Sequence, residues 1–336
     1  MLEVVVGLWL GLCFIFMEWM GVFWNPGLGM NVLSEKLLFY NVLVLIGAFV
    51  MANVLRNFAI RIPPGRQLVK GIVGGIFLAT GTLVASGGNI GAFLIPLLNL
   101  SASAFLFLLG MIIGLYIGVK IEVKELDKLP RSGGIQVRLP KLNYILAAIG
   151  LVLGIYLIKA KPLLGIFLIL GASLQLGRWC MVNAFREPFF SKEITTSIAV
   201  GLTMIVGVIG VAVLKFKGLV PASFGVLPTF GWQEALGGLL FGLGMGICGA
   251  GSEAVLWRTG EGDLKYLVSL ITFVGVLTLE KSFVSKLKVK LTAVSVYLPK
   301  VIGLPASIGA VLAVPLLWYV IVFWNKKTKK LVKRYF

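Results

Sequence analysis

The sequence has no histidine, only three cysteines, and 13% charged residues where a soluble globular protein carries about a quarter. Without histidine there is no side chain that shuttles protons near neutral pH, nor the commonest transition-metal ligand. This argues against His-metal centres and against Ser-His or Cys-His hydrolases. Cys13, Cys180 and Cys248 stand singly inside apolar stretches with no CxxC pair, so neither a zinc knuckle nor a disulfide framework is expected. No metal site and no cofactor is predicted. A GxxxxGK[ST] run is also missing, so the chain itself does not hydrolyse nucleotide. Acidic residues number 13 against 31 basic ones, a net charge of +18. Apolar runs fill nearly the whole length, so this excess is not a disordered basic tail, and no nucleic-acid partner is expected.

Hydrophobic residues, by contrast, make up 59% of the chain, with a mean hydropathy of +1.01, the composition of an integral membrane protein. A crossing takes about 20 apolar residues. On that ruler, spans are predicted at 4–24, 37–55, 101–119, 142–158, 163–182, 195–214, 264–280 and 303–324. The first run, from Val4 to Trp24, lacks a basic leader and passes into a second span, so it reads as a membrane helix rather than a cleaved signal. Residues 71–100 and 234–260 are apolar but broken by glycine and, in the first, by Pro96. They read as helices that stop partway and turn inside the protein.

These two broken segments align at a constant offset, with Gly74, Gly75, Gly81 and Gly88 falling on Gly237, Gly238, Gly244 and Gly251. Glycines 74, 81 and 88, like 237, 244 and 251, recur on one helix face, where another backbone can approach closely. Ordinary small-residue packing explains any one of them, whereas the shared offset points to a repeat. The expected fold is an all-α integral membrane protein with about eight to ten transmembrane helices plus short broken or re-entrant helices, in two pseudo-symmetric, inverted repeats. The expected division is a first repeat over 1–141, a linking helix over 142–162, a second repeat over 163–290, and a C-terminal helix with a basic tail over 291–336. Short cytoplasmic loops collect lysine and arginine. The tail from Lys326 to Arg334, the loop with Arg56, Arg61, Arg66 and Lys70, and the loop from Lys120 to Lys141 are therefore placed inside, with both termini. Lys281, Lys286, Lys288 and Lys290 then fall outside.

Substrate in such a protein meets the broken helices, here at Gly88 and Gly251. Around the first break, Asn89 offers an amide; around the second, Cys248, Ser252 and Glu253 offer a thiol, a hydroxyl and a carboxyl. Backbone donors at a break bind anions when a helix N-terminus faces the site. A carboxylate within a membrane segment is a functional candidate. Three roles fit Glu253: proton or charge coupling, pairing with Arg258, or capping a helix. Arg258 either attracts an anion or bridges to Glu261 in a loop. Glu18, in the middle of the first span, is a second candidate for coupling and is expected to be a buried, protonated carboxyl. In the run from Gly177 to Glu187, Arg178 and Arg186 are expected near one helix face, with Cys180 beside them.

These residues resemble the YeeE/YedE family of bacterial and archaeal sulfur-transport membrane proteins. The resemblance rests on GGLLFGLGMGICGAGSEAVLWRTGEGDLK at 237–265, GRWCMVNAFR at 177–186 and GGNIGAF at 87–93. It implies a prokaryotic inner-membrane permease, not an enzyme, passing a small inorganic sulfur anion of the thiosulfate kind through a central constriction with cysteine thiols nearby. It also implies the lipid bilayer and a cytosolic sulfur-carrier protein as partners. The implied path takes in Gly88, Asn89, Cys180, Cys248, Gly251, Ser252, Glu253 and Arg258. The family pattern carries a cysteine in each glycine-rich break, and those positions are Gly88 and Gly251 here. Cys248 stands three residues before the second. The readings that compete are a transporter of another solute such as a selenium species, a membrane-embedded sulfurtransferase using Cys180 or Cys248, and a scaffold subunit.

Overall fold

Backbone polar groups within a bilayer must be satisfied inside their own segment, so long apolar runs fold as helices. The computed structural model describes residues 1–26, 35–126, 134–138, 140–159, 161–191, 193–287 and 294–328. The basic tail residues Lys329, Lys330, Lys333 and Arg334, with Lys288 and Lys290, lie outside them. The first half holds α1 (Leu2–Trp19), α2 (Glu35–Val54), α3 (Gly65–Val84), a π-helical turn (Asn89–Leu94) running into α4 (Ile95–Leu98), α5 (Ser103–Leu126) and α6 (Asn143–Ile158). The second holds α7 (Gly165–Leu176), α8 (Met181–Phe190), α9 (Thr195–Phe216), α10 (Trp232–Cys248), α11 (Ser252–Gly260), α12 (Leu264–Leu287), α13 (Leu298–Ile302) and α14 (Leu304–Thr328). Among the described residues, seven helical segments are long and apolar enough to cross a membrane. The shorter apolar helices Leu38–Val54, Asn143–Ile158 and Leu264–Leu279 join them. The chain is an all-α integral membrane protein.

Asn89 and Ser252 are 163 residues apart and hydrogen-bonded. The same shift lays α1 on α7, α2 on α9, α3 on α10, the π-turn on α11, α5 on α12 and α6 on α14. Packing repeats with it: α1 lies on α9 as α7 lies on α2, α5 on α10 as α12 on α3, and α6 on α2 as α14 on α9. Helix α6, expected as a lone linker, thus has a counterpart in α14.

The symmetry axis passes between α3 and α10, which run antiparallel. A Cβ added at Gly74 would stand 2.5 Å from the Cys248 Cβ, and one at Gly237 would stand 2.5 Å from the Ala85 Cβ. Likewise a Cβ at Gly81 would stand 2.5 Å from the Phe241 nitrogen and one at Gly244 2.7 Å from the Leu78 nitrogen. Each contact is the image of its partner under the shift, and ascending numbers on α3 meet descending numbers on α10, so the repeats are inverted. Only glycine lets two backbones approach this closely.

The periphery has the opposite character. Along α6, Ile145, Ile149, Val152, Leu153 and Tyr156 are exposed, as are Leu316, Leu317, Val320 and Phe323 on α14. An apolar surface of this kind suits hydrocarbon. One end of the bundle gathers charge. There β1 (Ala59–Ile62) pairs antiparallel with β2 (Ile135–Arg138), and the Arg61 backbone forms an isolated β-bridge with that of Asp263. Arg186 binds Glu122 at 3.2 Å, Asn325 donates to the Pro188 carbonyl at 2.9 Å, and Glu3 lies within electrostatic reach of Glu187. The outer ends of α1 and α14 therefore share this charged face with the loops that follow α2, α5 and α11.

Candidate functional site

Two helix breaks of one design form the centre. Helix α3 gives way at Ser86 (φ 56°) and α10 at Gly249 (φ 80°), equivalent positions that both adopt the left-handed conformation ending a helix. An extended glycine follows in each, Gly88 (φ −93°) and Gly251 (φ −85°), and starts the next helical piece. The inward-facing end of α11 is therefore an N-terminus, the end that favours negative charge. Pro96 does not cause the first break. It lies beyond Gly88, inside the helical piece that follows the break.

A third break lies in a stretch expected to be one span. Helix α7 ends at Leu176, Arg178 is left-handed (φ 46°), and Cys180 is the extended cap of α8. Arg178 and Arg186 consequently do not share a helix face: Arg178 sits in the connection and Arg186 within α8. The signal for this break was a charged residue after glycine in the interior of an apolar run.

The three breaks meet at Glu253. The Asn89 Oδ1 accepts from the Ser252 Oγ at 2.9 Å and from the Ser252 N–H at 3.3 Å, while its Nδ2 donates to the Glu253 Oε2 at 2.6 Å. The other carboxylate oxygen, Oε1, accepts the first N–H of α8, from Met181, at 3.3 Å. Asn89, Cys180, Cys248, Ser252 and Glu253 have 0% exposure. Among the described residues no cation forms an ion pair with Glu253, so the expected pairing with Arg258 is not made. Amide and helix-terminus donors hold the carboxylate instead.

The junction leaves no room for side chains at the two glycines. A Cβ at Gly251 would lie 2.6 Å from the Asn89 Nδ2 and 2.7 Å from the Glu253 Oε2; one at Gly88 would lie 2.7 Å from the Phe241 ring and 3.3 Å from the Ser252 Oγ. The Asn89–Glu253 pair and the Phe241 ring thus fill the space that break cysteines would need. Cys248, one turn earlier, contacts the Ser269 Oγ at 3.3 Å.

Toward the charged face, the Arg258 Nη1 donates to the Tyr266 hydroxyl at 2.6 Å, with its guanidinium 5.0 Å from the Trp257 ring centre and 4.9 Å from that of Tyr266. The Lys265 Nζ lies 5.6 Å from the Tyr266 ring centre. The expected Arg258–Glu261 bridge is absent, because Glu261 binds Arg61 at 3.2 Å and Arg178 at 3.1 Å. The Trp257 indole donates to the Trp179 carbonyl at 2.9 Å and pins the third break against α11. Glu18 is not part of this cluster. Its carboxylate accepts from Asn99 at 2.8 Å, near Lys215, which donates to the Asn99, Ala222 and Phe224 carbonyls. Sequence reasoning missed Lys265, Tyr266, Ser269 and the Met181 N–H. The first two follow directly on the polar run after α11, whereas the last two carry no sequence signal.

Inverted repeats meeting through broken helices at a buried polar junction define a membrane protein built on a transporter plan. The chain belongs to the sulphur transport family, whose model matches residues 4–117 and 176–335. It is 26% identical over 248 residues to the probable transporter YedE of Salmonella typhimurium (strain LT2), which covers 66% of this chain and 58% of that protein. It is 25% identical over 248 residues to the probable transporter YedE of Escherichia coli (strain K12), with the same coverage. It is also 30% identical over 105 residues to the thiosulfate transporter TsuA of Escherichia coli (strain K12), over 31% of this chain and 29% of that protein. The chain thus spans less than two thirds of the length of these curated relatives.

Proposed function

We propose that this chain is a permease for a small sulfur-containing anion of the thiosulfate kind, and that the anion crosses between the two breaks, past Gly88, Asn89, Gly251, Ser252 and Glu253, with Cys180, Cys248 and Arg258 on one side. The observation that carries this reading is the hydrogen-bonded meeting of symmetry mates, Asn89 and Ser252, at the centre of an inverted repeat. Residues 2–158 and 165–328 are then the two repeats, each ending in a lipid-facing helix. The relative named a thiosulfate transporter supports the substrate class. The inward N-termini of α8 and α11 suit an anion, and the buried thiols suit its sulfur through weak S–H donors. Excess arginine and lysine on the charged face support a cytoplasmic placement of that face and of both chain ends, in a prokaryotic inner membrane. A sulfur-carrier protein would then collect the anion there. A sulfurtransferase is disfavoured, since the sequence has no histidine to serve as base to either thiol.

The test is uptake of radiolabelled thiosulfate into proteoliposomes, with sulfate and sulfite as competitors. Saturable uptake that falls in Glu253→Gln and is partly retained in Cys180→Ser supports a permeation path. Complete loss in Cys180→Ser with normal folding favours an enzyme. No uptake of any of the three anions by correctly folded protein in tight vesicles removes the assignment.

A further inference from the structure

The inverted repeat gives each residue on one side of the constriction a mate on the other, and at six positions the chemistry differs sharply. Arg178, Cys180, Cys248, Arg258, Lys265 and Tyr266 correspond under the shift to Ile15, Met17, Ala85, Ile95, Ala102 and Ser103. At these positions one approach to the Asn89–Ser252 junction carries cations, thiols and a phenol, while the other carries apolar groups and one serine.

Arg178 is held by Glu261, whereas Arg258 and Lys265 form no ion pair among the described residues. The neighbouring carboxylates are engaged elsewhere: Glu261 with Arg61 and Arg178, Glu122 with Arg186, Glu187 with Thr196, and Glu253 with Asn89 and Met181. Asp263 accepts the backbone N–H of Lys265 at 3.0 Å and lies within electrostatic reach of Arg258, Arg61 and Lys265 without forming an ion pair with any of them. Among the described residues, the Arg258 Nε is buried without a hydrogen-bond partner. Lys265 is 9% exposed, and among the described residues its ammonium has no carboxylate within ion-pair distance. A buried lysine and a partly exposed arginine whose Nε is buried, neither with a bonded counter-charge among the described residues, are costly to hold at this depth unless an anion joins them. Both flank the Tyr266 ring, and Arg258 lies within electrostatic reach of Cys180 and Cys248.

Resting on the permease reading, we propose that Arg258, Lys265 and Tyr266, set between Cys180 and Cys248, form a binding station for one divalent oxyanion bearing a terminal sulfur, and that the opposite approach has no such station. The two cations hold the oxygens and the thiols face the sulfur, so thiosulfate binds more tightly than sulfate. A path built this way is polar in function: substrate dwells on the charged side of the constriction.

The experiment is equilibrium binding of sodium thiosulfate, sodium sulfate and sodium nitrate to the detergent-purified full chain, read as anion-dependent rise in melting temperature. Thiosulfate should give a saturable rise, sulfate a weaker one and nitrate none. Lys265→Met and Arg258→Met should weaken thiosulfate binding at least about tenfold, Lys265→Arg should retain most of it, and Ala102→Met, on the opposite approach, should leave it unchanged. Should Arg258→Met fail to fold, the two Lys265 variants carry the test. Wild-type affinity in Lys265→Met that melts normally without anion would overturn the station, as would equal affinity for sulfate or an equal loss in Ala102→Met. Lys265-dependent binding without uptake into tight vesicles would reject the permease while keeping the station. Saturable wild-type uptake with an unchanged KM in Lys265→Met would do the reverse.

Discussion

Asn89 and Ser252, symmetry mates from the two halves of the chain, are joined at 2.9 Å with neither exposed to solvent. The same Asn89 amide turns its other end to Glu253 at 2.6 Å, so one side chain ties both breaks together. Asn89→Ala strands Ser252 and the Glu253 carboxylate without their buried partner and should cost roughly 3 kcal/mol. Asn89→Asp sets a second carboxylate against Glu253 and should cost more. Thermal unfolding in detergent, comparing both with the wild type, reads the difference.

The antiparallel crossing of α3 and α10 depends on backbone proximity. Gly81→Ala and Gly244→Ala place a methyl against backbone atoms at 2.5 and 2.7 Å, which neither helix can yield cheaply, and each should lower stability by about 1–3 kcal/mol. Gly275→Ala and Gly309→Ala, with no atom within 4 Å of the added Cβ, should be neutral or stabilise by up to about 1 kcal/mol. Equal melting temperatures for the two sets would contradict the crossing.

Restoring a thiol at the second break should fail on its own. Gly251→Cys drives its Cβ into the Asn89–Glu253 pair and is expected to destabilise by about 1–3 kcal/mol. Removing the carboxylate with Glu253→Ala in the same chain relieves part of that overlap, so the two substitutions should be non-additive by about 1 kcal/mol or more. A double-mutant cycle on melting temperature decides this.

Near the charged face, the ion pairs and the buried indole should differ in weight. Arg178 is half exposed and Arg61 nearly a third, so Glu261→Gln should cost less than about 1 kcal/mol. Trp257→Phe removes the donor to the buried Trp179 carbonyl and should cost about 1–3 kcal/mol. The reverse order would mean that Glu261, rather than Trp257, fixes the third break.

Most of the fold was legible because hydrocarbon imposes a simple ruler: the ten apolar helical segments among the described residues fall where the apolar runs are, and the glycine offset anticipated that α3 and α10 are equivalent helices of two repeats. The pairing of Gly88 with Gly251 was legible for the same reason. The Arg258 and Glu253 partners were not. Five residues separate them in one chain, yet Glu253 faces inward at the first turn of α11 while Arg258 emerges at its last turn beside Tyr266. The break at Arg178 was harder to read because the left-handed residue is not itself a glycine, and the only mark is a charge after Gly177 inside an apolar run. The role of Met181 is carried by its backbone N–H, which any residue but proline supplies.

The most direct test of the central claim, that the anion passes between Asn89 and Ser252, is to make that contact a reversible lock. The pair Asn89→Cys with Ser252→Cys, reconstituted in proteoliposomes, is reduced, oxidised and reduced again while labelled thiosulfate uptake is followed, with cross-linking verified by mass spectrometry. The account predicts that the uptake the reduced chain retains is arrested on oxidation and recovers on reduction. Undiminished uptake by a fully cross-linked chain would contradict it.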